Sequence, residues 1–228
     1  MTLEPWFAAA APYVSEFLTL AVIHFLLVMA PGADFAVAVR QSVRHGRRAG
    51  VWTALGFGAG TALHLVYTLL GVSALLQARP WLLHVVQWLG AAYLLYLGLQ
   101  FLRSRPMPAS ALDGVETADE AGTGAQQQPG TPNPRAAFWT GFMTNATNPK
   151  ATLFFLAMFT TLVSPATPLA VQALYGLWMC VAIAAWFSLV ALVFTSAPVR
   201  QRFVRSGHWL ERAMGLVLLG FAARLLLV

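Results

Sequence analysis

Six apolar stretches, at 14–39, 51–76, 81–102, 137–163, 168–195 and 209–227, constrain this chain more than any other feature. Crossing the hydrocarbon core of a bilayer takes about 20 apolar residues in a helix. Each stretch is too long and too apolar for a barrel strand, and in lipid only helices or closed barrels satisfy their own backbone polar groups. The expectation is an all-α integral membrane protein with six transmembrane helices. Composition agrees: 58% of the residues are hydrophobic and 10% charged, against roughly a quarter charged in ordinary soluble domains. The net charge of +6 is no nucleic-acid footprint, because the arginines sit where they would orient a membrane protein. The partner expected in its place is the lipid bilayer, and self-association into a homo-oligomer is left open.

Arg40, Arg44, Arg47 and Arg48 follow the first span, Arg103, Arg105 and Arg135 flank the link from the third to the fourth, and Arg200, Arg202 and Arg205 lie between the fifth and sixth. The opposite connections hold only Arg79. By the positive-inside rule the arginine-rich connections face the cytoplasm and both termini lie outside. The N-terminus carries Glu4 and Glu16 with no basic leader, so the first span reads as a permanent anchor rather than a cleaved signal. Trp6, Trp81, Trp139 and Trp209 sit near span ends, where interfacial anchors belong.

Residues 105–135 differ from everything around them. Rich in Pro, Gly, Ala, Gln and acid, they lack the apolar surface to fold alone and read as a disordered cytoplasmic linker. The linker separates a first three-helix repeat, 1–104, from a second, 136–228. An odd number of spans in each half makes the second cross in the opposite sense, the arrangement of inverted-topology repeats.

The first span of each half carries a proline beside an ionisable residue: Pro31-Gly32-Ala33-Asp34, and Asn148-Pro149-Lys150 with the only lysine of the chain. Proline removes a helical hydrogen bond, glycine loosens the backbone next to it, and freed carbonyls are tolerated only where they face protein or a water-filled cavity. Such breaks serve either as packing kinks or as ligand sites, and two in matching spans favour the second, with helices 1 and 4 both broken. Asp34 lies about six residues, ~9 Å, before Arg40, and Lys150 lies deeper. A charge in mid-span costs at least ~2.5–3.5 kcal/mol, so both are expected to face the interior. They form either a structural ion pair or one that opens when a proton or a charged substrate competes for a partner. Asn145 and Asn148 offer donors and acceptors that suit a zwitterion and equally suit capping of the broken ends. The half-helix after Pro149 presents N–H groups and a positive dipole end where a carboxylate can dock beside Lys150.

In the second span Gly56 and Gly60 form a small-xxx-small pair suited to close helix packing. His64 follows one turn later on the same face, either as a proton relay or as a plain interhelical hydrogen-bonding group, and His24 takes the same two readings. The lone Cys180 reads as a small buried hydrophobe. Scattered histidines, one cysteine and the lack of HExxH, CxxC, Walker A or nucleophile-elbow patterns argue against a metal, a cofactor, ATP hydrolysis or an enzyme.

The segments FLLVMAPGADFAVAVRQSVRHGRRAGVWTALGFGAGTALHLVYTLLGVSALL, LGAAYLLYLGLQFLRS and FWTGFMTNATNPKATLFFLAMF together resemble the LysE/RhtB family of bacterial amino-acid exporters. The resemblance covers most of the chain outside 105–135. It implies six helices in the bacterial cytoplasmic membrane and efflux of amino acids or related small metabolites by antiport with protons. By motif, the positions at issue are Pro31, Gly32, Asp34, Asn145, Asn148, Pro149 and Lys150. The chain departs at Ala33, where many relatives have a second proline, and in its long acidic linker. Export of another solute or cation on the same scaffold, or a non-transporting scaffold working through 105–135, are the competing readings.

Overall fold

A computed structural model describes residues 4–78, 80–105 and 133–227. Among the described residues all regular structure is helical, in seven helices: α1 Glu4–Met29, α2 Ala33–Ala78, α3 Pro80–Leu102, α4 Pro134–Ala146, α5 Pro149–Leu162, α6 Leu169–Val193 and α7 Ala197–Leu227. Four stretches, in α1, α2, α3 and α6, are long and apolar enough to cross a membrane, and α5 is a shorter apolar helix. The proposed linker falls almost wholly on 106–132, outside the described residues, as does Arg79.

Two expected connections are helical. α2 runs on through the arginines that follow the first apolar stretch and is interrupted only at Gly46, whose φ of 83° lies in the left-handed region that glycine tolerates best. Likewise α7 begins at Ala197 and contains Arg200, Arg202 and Arg205. Arginine is a good helix former whose long stem carries the charge outward, so a basic stretch need not be a loop. Two arginines also tie the ends together: Arg47 Nε donates to Thr195 Oγ1 at 3.1 Å, and Arg200 donates to the carbonyls of Phe194 and Thr195 just past the end of α6.

Packing runs mainly between the two halves of the chain. α2 lies against α4 and α6, and α3 against α7 and α5. Small residues set the closest approach. A Cβ on Gly56 would sit 2.1 Å from the Phe138 carbonyl oxygen, and one on Gly141 2.0 Å from that of Thr53, so α2 and α4 touch backbone to backbone. Gly60 meets Asn145 and Ala146 of α4, whereas Gly58, on another face, meets Cys180 of α6. Thr53 reinforces the first contact by donating to the Ala137 carbonyl at 3.2 Å. Aromatic rings fill the interior, among them Phe57 on Phe187 and the Phe35–Phe194–Phe203 cluster. Leucines and valines such as Leu18, Val22, Leu70, Leu174 and Val181 point outward, the pattern of a surface solvated by acyl chains. Trp81, Trp139 and Trp209 are exposed as well.

At one end of the bundle Glu16 of α1 fastens the α5–α6 connection. Its carboxylate accepts from the Ser164 N–H at 2.5 Å, the Thr167 hydroxyl at 2.9 Å and the Tyr175 hydroxyl at 3.1 Å.

Candidate functional site

Both proline segments interrupt their helices. α1 stops at Met29 and α2 starts at Ala33, leaving Ala30, Pro31 and Gly32 outside regular helix. α4 stops at Ala146 and α5 starts at Pro149, which occupies the first helical position where its missing N–H costs nothing. Asn148 is the N-cap of α5, and its Oδ1 accepts from the Lys150 N–H at 3.0 Å. The backbone donor nearest the lysine is thus already satisfied, and a ligand carboxylate at this helix end would meet Ala151 and the Lys150 side chain instead.

The two breaks are joined by a hydrogen bond. Asn145 Nδ2 donates to Asp34 Oδ2 at 2.7 Å. Asp34 stands in the first turn of α2, where the helix dipole favours a carboxylate, and Asn145 is 1% exposed near the end of α4. Every polar group of Asn145 is used: Oδ1 accepts from the Thr61 hydroxyl at 3.2 Å, and its carbonyl accepts from His64 Nε2 at 2.8 Å. A carbonyl can only accept, so His64 carries its proton on Nε2, and in the uncharged ring Nδ1 is then an acceptor. That nitrogen faces the hydroxyls of Tyr67 and of Thr152, which lie 2.9 Å from each other. His64 therefore stands behind Asn145, holding the break from α2, and is not part of the pocket wall.

In front of the Asp34–Asn145 bond lies a pocket enclosing about 580 Å³, its open mouth included. Its polar end holds Asp34, Asn145, Asn148 and Lys150, and its apolar wall comes from α1, α5 and α6. Asp34 Oδ1 is buried there without a hydrogen-bond partner. Lys150 Nζ lies over the Phe101 ring, 4.9 Å from its centroid, and the Lys150 carbonyl accepts from Tyr93 at 3.2 Å. Two carboxylates act on the ammonium through space, Glu211 and Asp34. The direct partner of the Asp34 carboxylate is Asn145, with the Asn148 amide close by. The lysine and the aspartate line the same pocket at its polar end.

Pro31 and Pro149 shape the breaks without lining the pocket, whereas Gly32 does line it. Gly56 and Gly60 lie on the α2–α4 seam that brings His64 and Thr61 onto Asn145. Sequence reading passed over Thr61, Tyr67, Tyr93, Phe101, Thr152 and Glu211. Thr61 and Tyr67 carry a signal, each three residues from His64 and so on its helix face. Glu211 carries another, an acid inside an apolar stretch; its carboxylate accepts from the Ser104 hydroxyl. The remaining three, Tyr93, Phe101 and Thr152, have no local signature.

A family model described as "LysE type translocator" matches residues 25–228. The threonine efflux protein of Escherichia coli K12 is 26% identical over 213 residues, covering 92% of this chain and 97% of that protein. The threonine efflux protein of Salmonella typhimurium matches to the same extent. An uncharacterized Escherichia coli membrane protein, YahN, is 27% identical over 196 residues, covering 86% of this chain and 82% of its own length. No solved structure matches the chain significantly. The match spans both helix breaks and everything between them, and with it the chain belongs to the LysE type translocator family, membrane transporters rather than enzymes.

Proposed function

We propose that this chain is a secondary exporter. It moves an amino acid or related small metabolite out across the bacterial cytoplasmic membrane by antiport with protons, through alternating access around the pocket between the two helix breaks. The observation that carries this reading is the Asn145–Asp34 hydrogen bond, which joins one break to the other at a pocket holding a buried carboxylate and the only lysine. Asp34 receives either a proton or the substrate ammonium. Lys150, with the N-terminal end of α5, receives the substrate carboxylate. Asn145 and Asn148 orient both, and His64 positions Asn145. Threonine is the first cargo to test, because two of the relatives named above are threonine efflux proteins.

In this reading the chain crosses the membrane six times as two inverted three-helix repeats, the arginine-rich segments facing the cytoplasm and both termini outside. Each broken pair, α1 with the start of α2 and α4 with α5, makes one crossing. Packing of α2 on α6 and of α3 on α7 supports the repeat, since these are the counterparts a two-fold axis would bring together. Pro31, Gly32 and Pro149 hold the crossings open at the pocket, and Gly56 and Gly60 let α2 approach α4.

The test is reconstitution into liposomes with an imposed pH gradient and a panel of labelled amino acids, threonine included. Gradient-driven flux of at least one amino acid is expected. Its absence across the panel, with flux of another solute or cation, would transfer the scaffold to that cargo. A protein that transports nothing and loses its cellular effect when 105–135 is deleted would be a scaffold instead.

A further inference from the structure

His24 is the one polar side chain on the apolar wall of the pocket. It projects from α1 on the same face as Leu27 and Val28, opposite Phe154 and Phe155 of α5 and Ile183 and Phe187 of α6. It is fully buried, and both ring nitrogens lack a hydrogen-bond partner. Three aromatic rings enclose it, with centroids of Phe154, Phe155 and Trp178 at 6.4, 6.0 and 5.7 Å. Buried polar groups are hydrogen-bonded as a rule, and leaving one unpaired costs ~1–3 kcal/mol. A phenylalanine or leucine would fill the same space without that cost. Among the described residues, the other buried side-chain atoms without partners belong to Asp34, which lines this pocket, and to Thr68, Trp186 and His208, which do not. The pocket lining therefore carries two groups with unmet hydrogen-bonding capacity, a carboxylate oxygen of Asp34 and the imidazole of His24.

His24 lies about five residues, ~8 Å, along α1 from the first break. A small amino acid with a hydrogen bond of ~2.8 Å at either end covers a similar distance. With its ammonium at Asp34 and its carboxylate toward Lys150, such a substrate directs its side chain along the apolar wall toward His24. In its uncharged form the imidazole offers one N–H and one bare nitrogen, a match for a hydroxyl or an amide, each of which donates and accepts. Resting on the amino-acid exporter reading, we propose that His24 determines specificity. It hydrogen-bonds the substrate side chain, so that hydroxyl- and amide-bearing amino acids are exported in preference to aliphatic ones of the same shape.

The test uses the full chain in liposomes and two pairs of near-isosteric substrates, threonine with valine and asparagine with leucine. Wild type is expected to favour the polar member of at least one pair by about tenfold or more, the scale of one lost buried hydrogen bond. His24→Phe removes the donor and acceptor while keeping an aromatic ring. It should bring the pair to within about twofold, through loss of polar-substrate flux, while the aliphatic partner still moves and thereby reports a folded protein. His24→Gln, which restores hydrogen bonding, should keep most of the preference. Should His24→Phe fail to insert, His24→Leu makes the same removal in a smaller volume. An unchanged ratio in the apolar variant, or a wild type indifferent within both pairs, overturns the assignment of His24 and leaves the exporter reading standing. A wild type that moves no amino acid overturns that reading and this assignment with it.

Discussion

The two helix breaks are built differently. At the first, the neighbouring bonds are between backbone groups, Ala30 N–H to the Leu27 carbonyl and Ala36 N–H to that of Gly32, and both Gly32 and Ala33 are exposed. At the second, side chains do the work: Asn148 caps α5, the Thr147 hydroxyl donates to the Met143 carbonyl at 2.6 Å, and Asn145 is gripped by Thr61 and His64. One break is pinned to α2 from behind; the other is tied to it through the Asp34 carboxylate. A broken helix can thus serve as a fixed reference or as a hinge, according to how many side chains brace it. In the alternating-access reading, the second break is the reference and the first is the element that moves.

Cutting the tie between the breaks is expected to have the largest effect. Asp34→Asn and Lys150→Ala are each expected to insert and purify as monodisperse protein yet lose gradient-driven flux by about 100-fold or more, at or above the upper end of the ~1–3 kcal/mol of one hydrogen bond. Coupled flux retained in both variants would remove these residues from the mechanism. Asn145→Ala should come next in stability. It strips the buried carboxylate of its donor, so thermal or denaturant unfolding should show a cost of ~1–3 kcal/mol. A double-mutant cycle with Asp34→Asn should recover part of it, and additive effects would mean that the two breaks are not energetically linked. Gly56→Ala probes the support behind the second break. Its methyl would meet the Phe138 carbonyl at 2.1 Å, and overpacking of this kind costs ~1–3 kcal/mol. A Tm equal to wild type would show that α2 and α4 separate freely. The smallest effects sharpen the contrast between the breaks. Asn148→Ala should cost ~1 kcal/mol through the lost cap. Gly32→Ala, whose added methyl would meet only the Ala30 carbonyl oxygen at 4.0 Å, should stay within ~0.5 kcal/mol. Equal losses at the two positions would contradict the asymmetry.

Much of the architecture was legible from local chemistry. Proline and glycine beside an ionisable residue marked both interruptions, because a missing N–H breaks a helix wherever it falls. The small residues of the second span marked the helix face that touches α4. What could not be read was the continuity of α2 and α7 through their arginines, since a cluster of charges says where a segment meets water and not whether it is coiled. Nor was the order of contact legible: Asp34 and Lys150 look like natural partners, and Asn145 holds the carboxylate directly.

By itself the sequence determined the solvent, the class and the breaks. Long apolar stretches require lipid, stretches of this length cross it as helices rather than barrel strands, and proline interrupts them at stated residues; each of these is a local rule. Which side chains complete one another is a property of the folded bundle. It set His64 and Thr61 behind Asn145, left His24 without a partner on the pocket wall, and brought Glu211 from the far end of the chain into electrostatic range of Lys150. Those relations depend on which helix faces meet across separations of roughly 60 to more than 100 residues, and interhelical packing, not the pattern along the chain, sets that.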